Sequence, residues 1–157
     1  MNEILKPDST VIDQITQDSL KSLRGIDAAE AENFSKKLQA SGAPVLSAKA
    51  SIIFVAFYGK LTVDSLPSPY DKWKFEVDTW GLGATGGTAI GMMYTAYDNW
   101  DAFFKNVTSY HVQGYSEGGG ILQVNWFISN GTPVGQFNGA MVGAGGLEAG
   151  GPGKWKS

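Results

Sequence analysis

Eighteen of the chain's 21 glycines lie between Trp80 and Trp155, interleaved with aromatic and β-branched residues. Glycine in a helix interior costs about 1 kcal/mol relative to alanine, so this half of the chain cannot sustain a long helix. Short strands, tight turns and bulges tolerate glycine and often require it. The first 43 residues contrast sharply, with only Gly25 and Gly42. The sequence therefore predicts two parts, a helical segment over 1–43 and a glycine-rich β domain over 44–157.

In the first part, Val11, Ile12, Ile15, Leu20 and Leu23 fall near helical spacing, predicting an amphipathic helix over about 9–24 that Gly25 terminates. Asp27 with Glu30 has the spacing of a capping box. It opens a second amphipathic helix over about 27–41, carrying Ala31, Phe34 and Leu38 and ending before Gly42 and Pro44. After Pro44 the period becomes two. Residues 47–63 form a long strand signal, and Trp73, Phe75 and Val77 alternate with Lys74, Glu76 and Asp78, a half-buried antiparallel strand.

Further strands are expected over 84–94, 107–115, 120–129 and 133–142, with a last one through Gly146 to Trp155. Asp98 is read as the N-cap of a short helix ending about Asn106. Asn130-Gly131 between two strands is a hairpin signal. Seven or eight short strands over about 110 residues predict a mainly β fold, a sandwich or a closed barrel, preceded by the two N-terminal helices; glycines opposite bulky aromatics suit a small barrel filled by side chains.

Composition narrows the function classes. With 12 basic and 15 acidic residues the net charge is −3, and the pI is near 5.0; no basic face for nucleic acid is expected. The absence of cysteine rules out disulfides and thiolate metal sites. With a single histidine besides, no metal site is expected. No apolar run approaches the ~20 residues of a transmembrane helix. The start, MNEILKPDSTVIDQ, does not read as a secretory signal. Secretion by a route not visible in the sequence and a cytoplasmic location both stay open.

Two glycine motifs resemble catalytic signatures. Gly81-Leu82-Gly83-Ala84-Thr85-Gly86 fits GxGxxG, but the mechanism needs a helix N-terminus after the glycines, and a strand is expected there. Gly114-Tyr115-Ser116-Glu117-Gly118 fits GxSxG, but glycines leading into a strand follow it, and His111 precedes the serine instead of following it. His111, alternating with Tyr110 and Val112, is expected to face solvent. The carboxylates Asp64, Asp71, Glu76, Asp78, Asp98, Asp101 and Glu117 form no evident catalytic couple; Glu76 and Asp78 are expected to oppose lysines across the sheet. Trp73 and Trp126 fall on apolar faces and are expected in the core, whereas Trp80, Trp100 and Trp155 are undetermined. Asn106-Val107-Thr108 and Asn130-Gly131-Thr132 match the glycosylation sequon. No catalytic, cofactor-binding or metal-binding residue is assigned, and no binding residue is identified.

The glycine-rich Trp80–Gly91 running into Met92-Met93-Tyr94-Thr95, the piece Asp98–Phe104, and Asn106–Tyr110 resemble the Vap virulence-associated proteins of intracellular actinobacterial pathogens. The resemblance continues through Leu122–Phe127, Asn130-Gly131, Gly135-Gln136-Phe137 and Gly143–Gly146 to Gly153-Lys154-Trp155. It implies a compact seven- or eight-stranded antiparallel Greek-key barrel without an open ligand cavity, no known enzymatic activity or catalytic residue set, and a role in survival inside host phagocytes. The N-terminal helices depart from that family's polar leader. The reading is a non-enzymatic effector or interaction protein acting through its barrel surface on a host protein or an endolysosomal membrane. The alternatives are a small-ligand barrel in the avidin or lipocalin manner, and a membrane-permeabilising protein using its N-terminal helices. The oligomeric state is left open.

Overall fold

The computed structural model describes residues 16, 28–116, 120–142 and 145–157. Helix α1 (Ala28–Ala40) is followed by strand β1 (Leu46–Ser65), a 3-10 turn at Tyr70–Lys72, strand β2 (Lys74–Thr95) and helix α2 (Trp100–Asn106). Strands β3 (Ser109–Tyr115), β4 (Ile121–Phe127), β5 (Pro133–Ala140), β6 (Leu147–Pro152) and β7 (Trp155–Lys156) complete the order. The fold is mainly β: one seven-stranded antiparallel sheet with two described helices.

The helix expected over 27–41 is α1, and the one expected after Asp98 is α2. The helix expected over 9–24 lies outside the described residues, apart from Thr16, which is helical and buried. The cap of α2 is Asn99, not Asp98. The Asn99 side chain accepts from Ala102 N at 2.8 Å, the reach an N-cap oxygen needs to satisfy a first-turn donor. Asp98 instead accepts from Gly42 N at 3.4 Å.

The two strands expected over 73–78 and 84–94 are one strand, β2. Residues 79–83 fall between the two expected strands, but neighbours on both sides pair the segment through them. Ala84–Gly87 pair with β1, and Trp80–Gly83 pair with β6. Beyond this point Ile90–Thr95 pair with β5. Each half of β2 thus serves a different neighbour, and the order β5-β4-β3-β6 returns to β2. Strand β1 mirrors this with a register shift between Ala56 and Tyr58. Its two ends then meet, Leu66 N donating to Ser47 O at 3.1 Å. The strand expected from Gly146 to Trp155 divides into β6 and β7. The Asn130-Gly131 turn does join β4 to β5: Gly131 has φ +84, and Asn130 Oδ1 accepts from Thr132 N.

Aromatic rings fill the inside of the sheet. Phe75 lies 5.3 Å from Tyr110, 5.8 Å from Trp126 and 5.5 Å from Trp155, ring centre to ring centre. Trp100, Phe103 and Phe104 of α2 are all buried and join this cluster, Phe103 facing Trp126 at 5.6 Å. Trp100 Nε1 donates to Pro44 O, which ties the short helix to the chain entering β1. Each ring removes some 150–250 Å² from water and the edge-on pairs add to that, so this cluster is the main source of cohesion. Trp126 is core as expected; Trp73 is half-buried and stacks on Phe104 at 4.9 Å.

Candidate functional site

The outer face of the sheet is divided between a covered and a bare region. On the covered side, Ala31, Phe34 and Leu38 of α1 pack on Phe127, with Tyr94 and Ala96 alongside. This is the apolar stripe that the helical spacing predicted. Next to it lies a ring of buried amides on β4 and β5. Gln123 donates to Asn138 Oδ1, Asn138 to Gln136 Oε1, Gln136 to Asn125 Oδ1 and Asn125 to Gln123 Oε1, at 2.7–2.9 Å. The pairs Gln123–Asn138 and Asn125–Gln136 are direct cross-strand partners. Thr16 Oγ1 accepts from Nε2 of both glutamines, at 3.0 and 2.9 Å. Buried polar groups are tolerable when satisfied in this way.

His111 belongs to the same side and is fully buried, against the expectation that it faces solvent. Alternation placed its side chain on the outer face correctly, but the outer face here is covered, not wet. Its Nε2 lies 3.5 Å from Glu148 Oε1.

The bare region is the corner of the β1–β2 hairpin. The register shift leaves Ala56 with φ +60, and the facing Gly83 has φ +143; a bulge of this kind bends and twists the pair. Around it the outward side chains are apolar: Ile53 and Val55 are 71% exposed, Phe57 66%, Trp80 and Leu82 65%. Tyr58 lies opposite Trp80 in register, ring centres 4.7 Å apart. Apolar side chains grouped on one exposed corner mark an interaction site more often than an accident of packing.

The rim of the corner is charged. Lys60 meets Glu76 at 3.7 Å and Lys74 meets Asp64 at 3.7 Å; Glu76, expected to oppose a lysine, faces Thr62 in register and reaches Lys60 diagonally. Asp78 lies opposite Lys60 in register but accepts the Tyr58 hydroxyl at 2.9 Å. That hydrogen bond and the carboxylate charge hold the Tyr58 phenol above its ordinary pKa. Tyr110, inside, is also raised, mainly by burial.

Between Trp80 and His111, Gly150 contributes no side chain, since it pairs with both. The result is an open cleft of about 430 Å³ lined by Trp80, Leu82, His111, Glu148, Gly150 and Gly151.

The tempting motifs separate as follows. Gly81–Gly86 lies within β2, with strand on both sides, so no helix N-terminus is present to hold a phosphate. Gly114 and Tyr115 end β3 and Ser116 is exposed, while Glu117 and Gly118 lie outside the described residues. Trp100 and Trp155 are core, and only Trp80 of the undetermined tryptophans is at the surface. No cluster of metal-ligating side chains occurs among the described residues. Ile53, Val55, Phe57 and Leu82 were not singled out from sequence. The usable signal is that both parities of Ile52–Phe57 are apolar, whereas one face of this strand has no layer to pack against.

Residues 6–156 match the family described as Rhodococcus equi virulence-associated protein. Among solved structures, the fold is similar to virulence-associated protein VapB from the intracellular pathogen Rhodococcus equi, with a TM-score of 0.61 and 23% identity, over 73% of this chain and 97% of that one. It is equally similar to VapD from the same organism, with a TM-score of 0.61 and 18% identity, over 72% of this chain and 97% of that one. None of the curated proteins compared with the chain matches it. With nearly its whole length matched, the chain belongs to the Rhodococcus equi virulence-associated protein family.

Proposed function

We propose that this protein is a non-enzymatic effector or interaction protein, a compact Greek-key barrel whose β1–β2 corner is the contact surface for a host protein or an endolysosomal membrane. The observation that carries the reading is the exposed group Ile53, Val55, Phe57, Trp80 and Leu82. Burying an exposed apolar side chain of this size contributes roughly 1.5–3 kcal/mol, so a few of them suffice for a specific contact once ordering costs are met. The small-ligand alternative loses support because aromatic rings occupy the interior that a ligand would need. The permeabilising alternative loses support because the apolar stripe of α1 is engaged with Phe127. No described helix is long and apolar enough to cross a membrane.

The test compares wild type with a Val55→Ser, Phe57→Ser, Leu82→Ser variant, in pull-down from host lysate and in liposome co-sedimentation over a pH series. Loss of a wild-type interaction in the variant, with an unchanged circular dichroism spectrum, is the expected result. A wild-type protein silent in both assays, or a variant that binds as well, overturns the reading.

A further inference from the structure

Helix α1 and Thr16 both precede β1 in the chain and both lie against the outside of the sheet. Their attachment differs in kind from the packing of the barrel. Ala31, Phe34 and Leu38 of α1 form a cluster separate from the aromatic core. Among the described residues, Phe127 is the only buried apolar side chain that the barrel gives to this cluster. Thr16 is held at the amide ring by hydrogen bonds from Gln123 and Gln136. The link from α1 to β1 is pinned at two points: Ser41 Oγ donates to Tyr97 O at 2.6 Å, and Trp100 Nε1 donates to Pro44 O at 2.6 Å. Gly42 between them is exposed, and glycine absorbs backbone rotation readily.

A small cluster held apart from the core opens at a lower free energy than the fold as a whole. The chemistry beneath it matters as much. Uncovering a broad apolar face exposes surface that water penalises, whereas an amide trades a hydroxyl partner for water at little loss. Gln123, Asn125, Gln136 and Asn138 are buried, uncharged and able to make that trade. VapB and VapD complete the same fold in a span about as long as Leu46–Lys156 alone. We propose that α1 and Thr16 form one cover, which opens about Ser41–Gly42 as a minor state while the barrel stays folded, and that its opening wets the amide face. This second state goes beyond the contact at the β1–β2 corner and does not depend on it.

Native-state hydrogen exchange of the full chain tests this, by mass spectrometry for the backbone and by NMR for the side-chain amides. In wild type, α1 is expected to exchange faster than β4 and β5 and with a shallower dependence on low urea. The side-chain N–H groups of Gln123 and Gln136 are expected to exchange with α1, not with the backbone of their own strands. Val63 is fully buried in the barrel core. Val63→Ala is expected to speed exchange in β4 and β5 about tenfold and to leave α1 unchanged, because the open state keeps the barrel intact and carries the same penalty. Thr16→Val is expected to speed α1 about tenfold or more, since one cover shares its contacts. A common rate and urea dependence for α1, β4 and β5 overturns the proposal. So does equal acceleration of α1 and the strands in Val63→Ala, side-chain amides as slow as the strand backbone, or α1 unmoved in Thr16→Val. Should Val63→Ala fail to fold, the milder core variant Ile52→Val gives the same comparison.

Discussion

Thr16→Val is the most informative single change in the covered face. Thr16 is buried at 1% exposure, and its hydroxyl receives two N–H groups, from Gln123 at 3.0 Å and Gln136 at 2.9 Å. Valine keeps the shape and has nearly the same helix propensity, so the substitution chiefly removes the hydroxyl. Each glutamine retains its bond within the amide ring and loses the hydroxyl that accepted its second N–H. A buried unsatisfied donor costs about 1–3 kcal/mol, and two such donors give roughly 2–6 kcal/mol. Partial entry of water favours the lower part of that range, so a loss of about 3 kcal/mol is expected. At a chain of this size that is roughly 6–12 °C in Tm. Thr16→Ser keeps the acceptor and loses one methyl, worth about 1 kcal/mol. Urea denaturation with linear extrapolation resolves the two. A Thr16→Val protein as stable as Thr16→Ser refutes the reasoning. A double-mutant cycle with Gln136→Met checks it independently, with an expected coupling of roughly 1–3 kcal/mol, because removing both partners leaves fewer orphaned groups than removing one.

Two further outcomes follow from the geometry. The Tyr58 phenol is held above its ordinary pKa by its bond to Asp78 and by that carboxylate's charge. The stabilisation is therefore complete below about pH 10, the unfolded tyrosine value, and is lost as pH rises through the higher folded value. NMR titration of Tyr58 should move toward the ordinary value in Asp78→Asn, and an unmoved titration refutes the assignment. Gly135→Ala places a Cβ on the Phe103 ring, which is fully buried and held by Trp126 and Trp155. Overpacking here is expected to cost about 1–3 kcal/mol by urea denaturation, and a neutral substitution shows that α2 moves freely.

Much of the fold was legible where one physical signal dominated. Alternation from Trp73 to Asp78 gave the correct inward and outward faces, because charges and rings do not trade places. The stripe Ala31, Phe34 and Leu38 gave α1, and Asn130-Gly131 gave the β4–β5 turn. The continuity of β2 was hidden because glycine lowers intrinsic strand preference, while pairing on both flanks, a tertiary effect, restores it. His111 was misplaced because period two assigns a face without saying what covers it. The amide ring was hidden for the same reason: Gln123, Asn125, Gln136 and Asn138 look like outward polar positions on wet strands. The available clue was chemical. Two consecutive strands each carry Gln-x-Asn or Gln-x-Asn-like spacing with amides and no charges, and amides can satisfy one another out of water as charges cannot. The bare corner was the least legible part of the candidate site, since apolar residues of both parities give no preference for a buried face.

The amide ring also has a direction. Four amides passing hydrogen bonds around a square can do so in either sense, and without further contacts the two arrangements are equivalent by symmetry of donors and acceptors. Thr16 removes that equivalence. In the observed sense two N–H groups converge on its oxygen, which has two lone pairs to receive them. Reversed, two carbonyl oxygens would converge on a hydroxyl with one proton to give, and one would go unanswered. Thr16, far away in sequence, thus favours one of the two bonding patterns at the centre of β4 and β5.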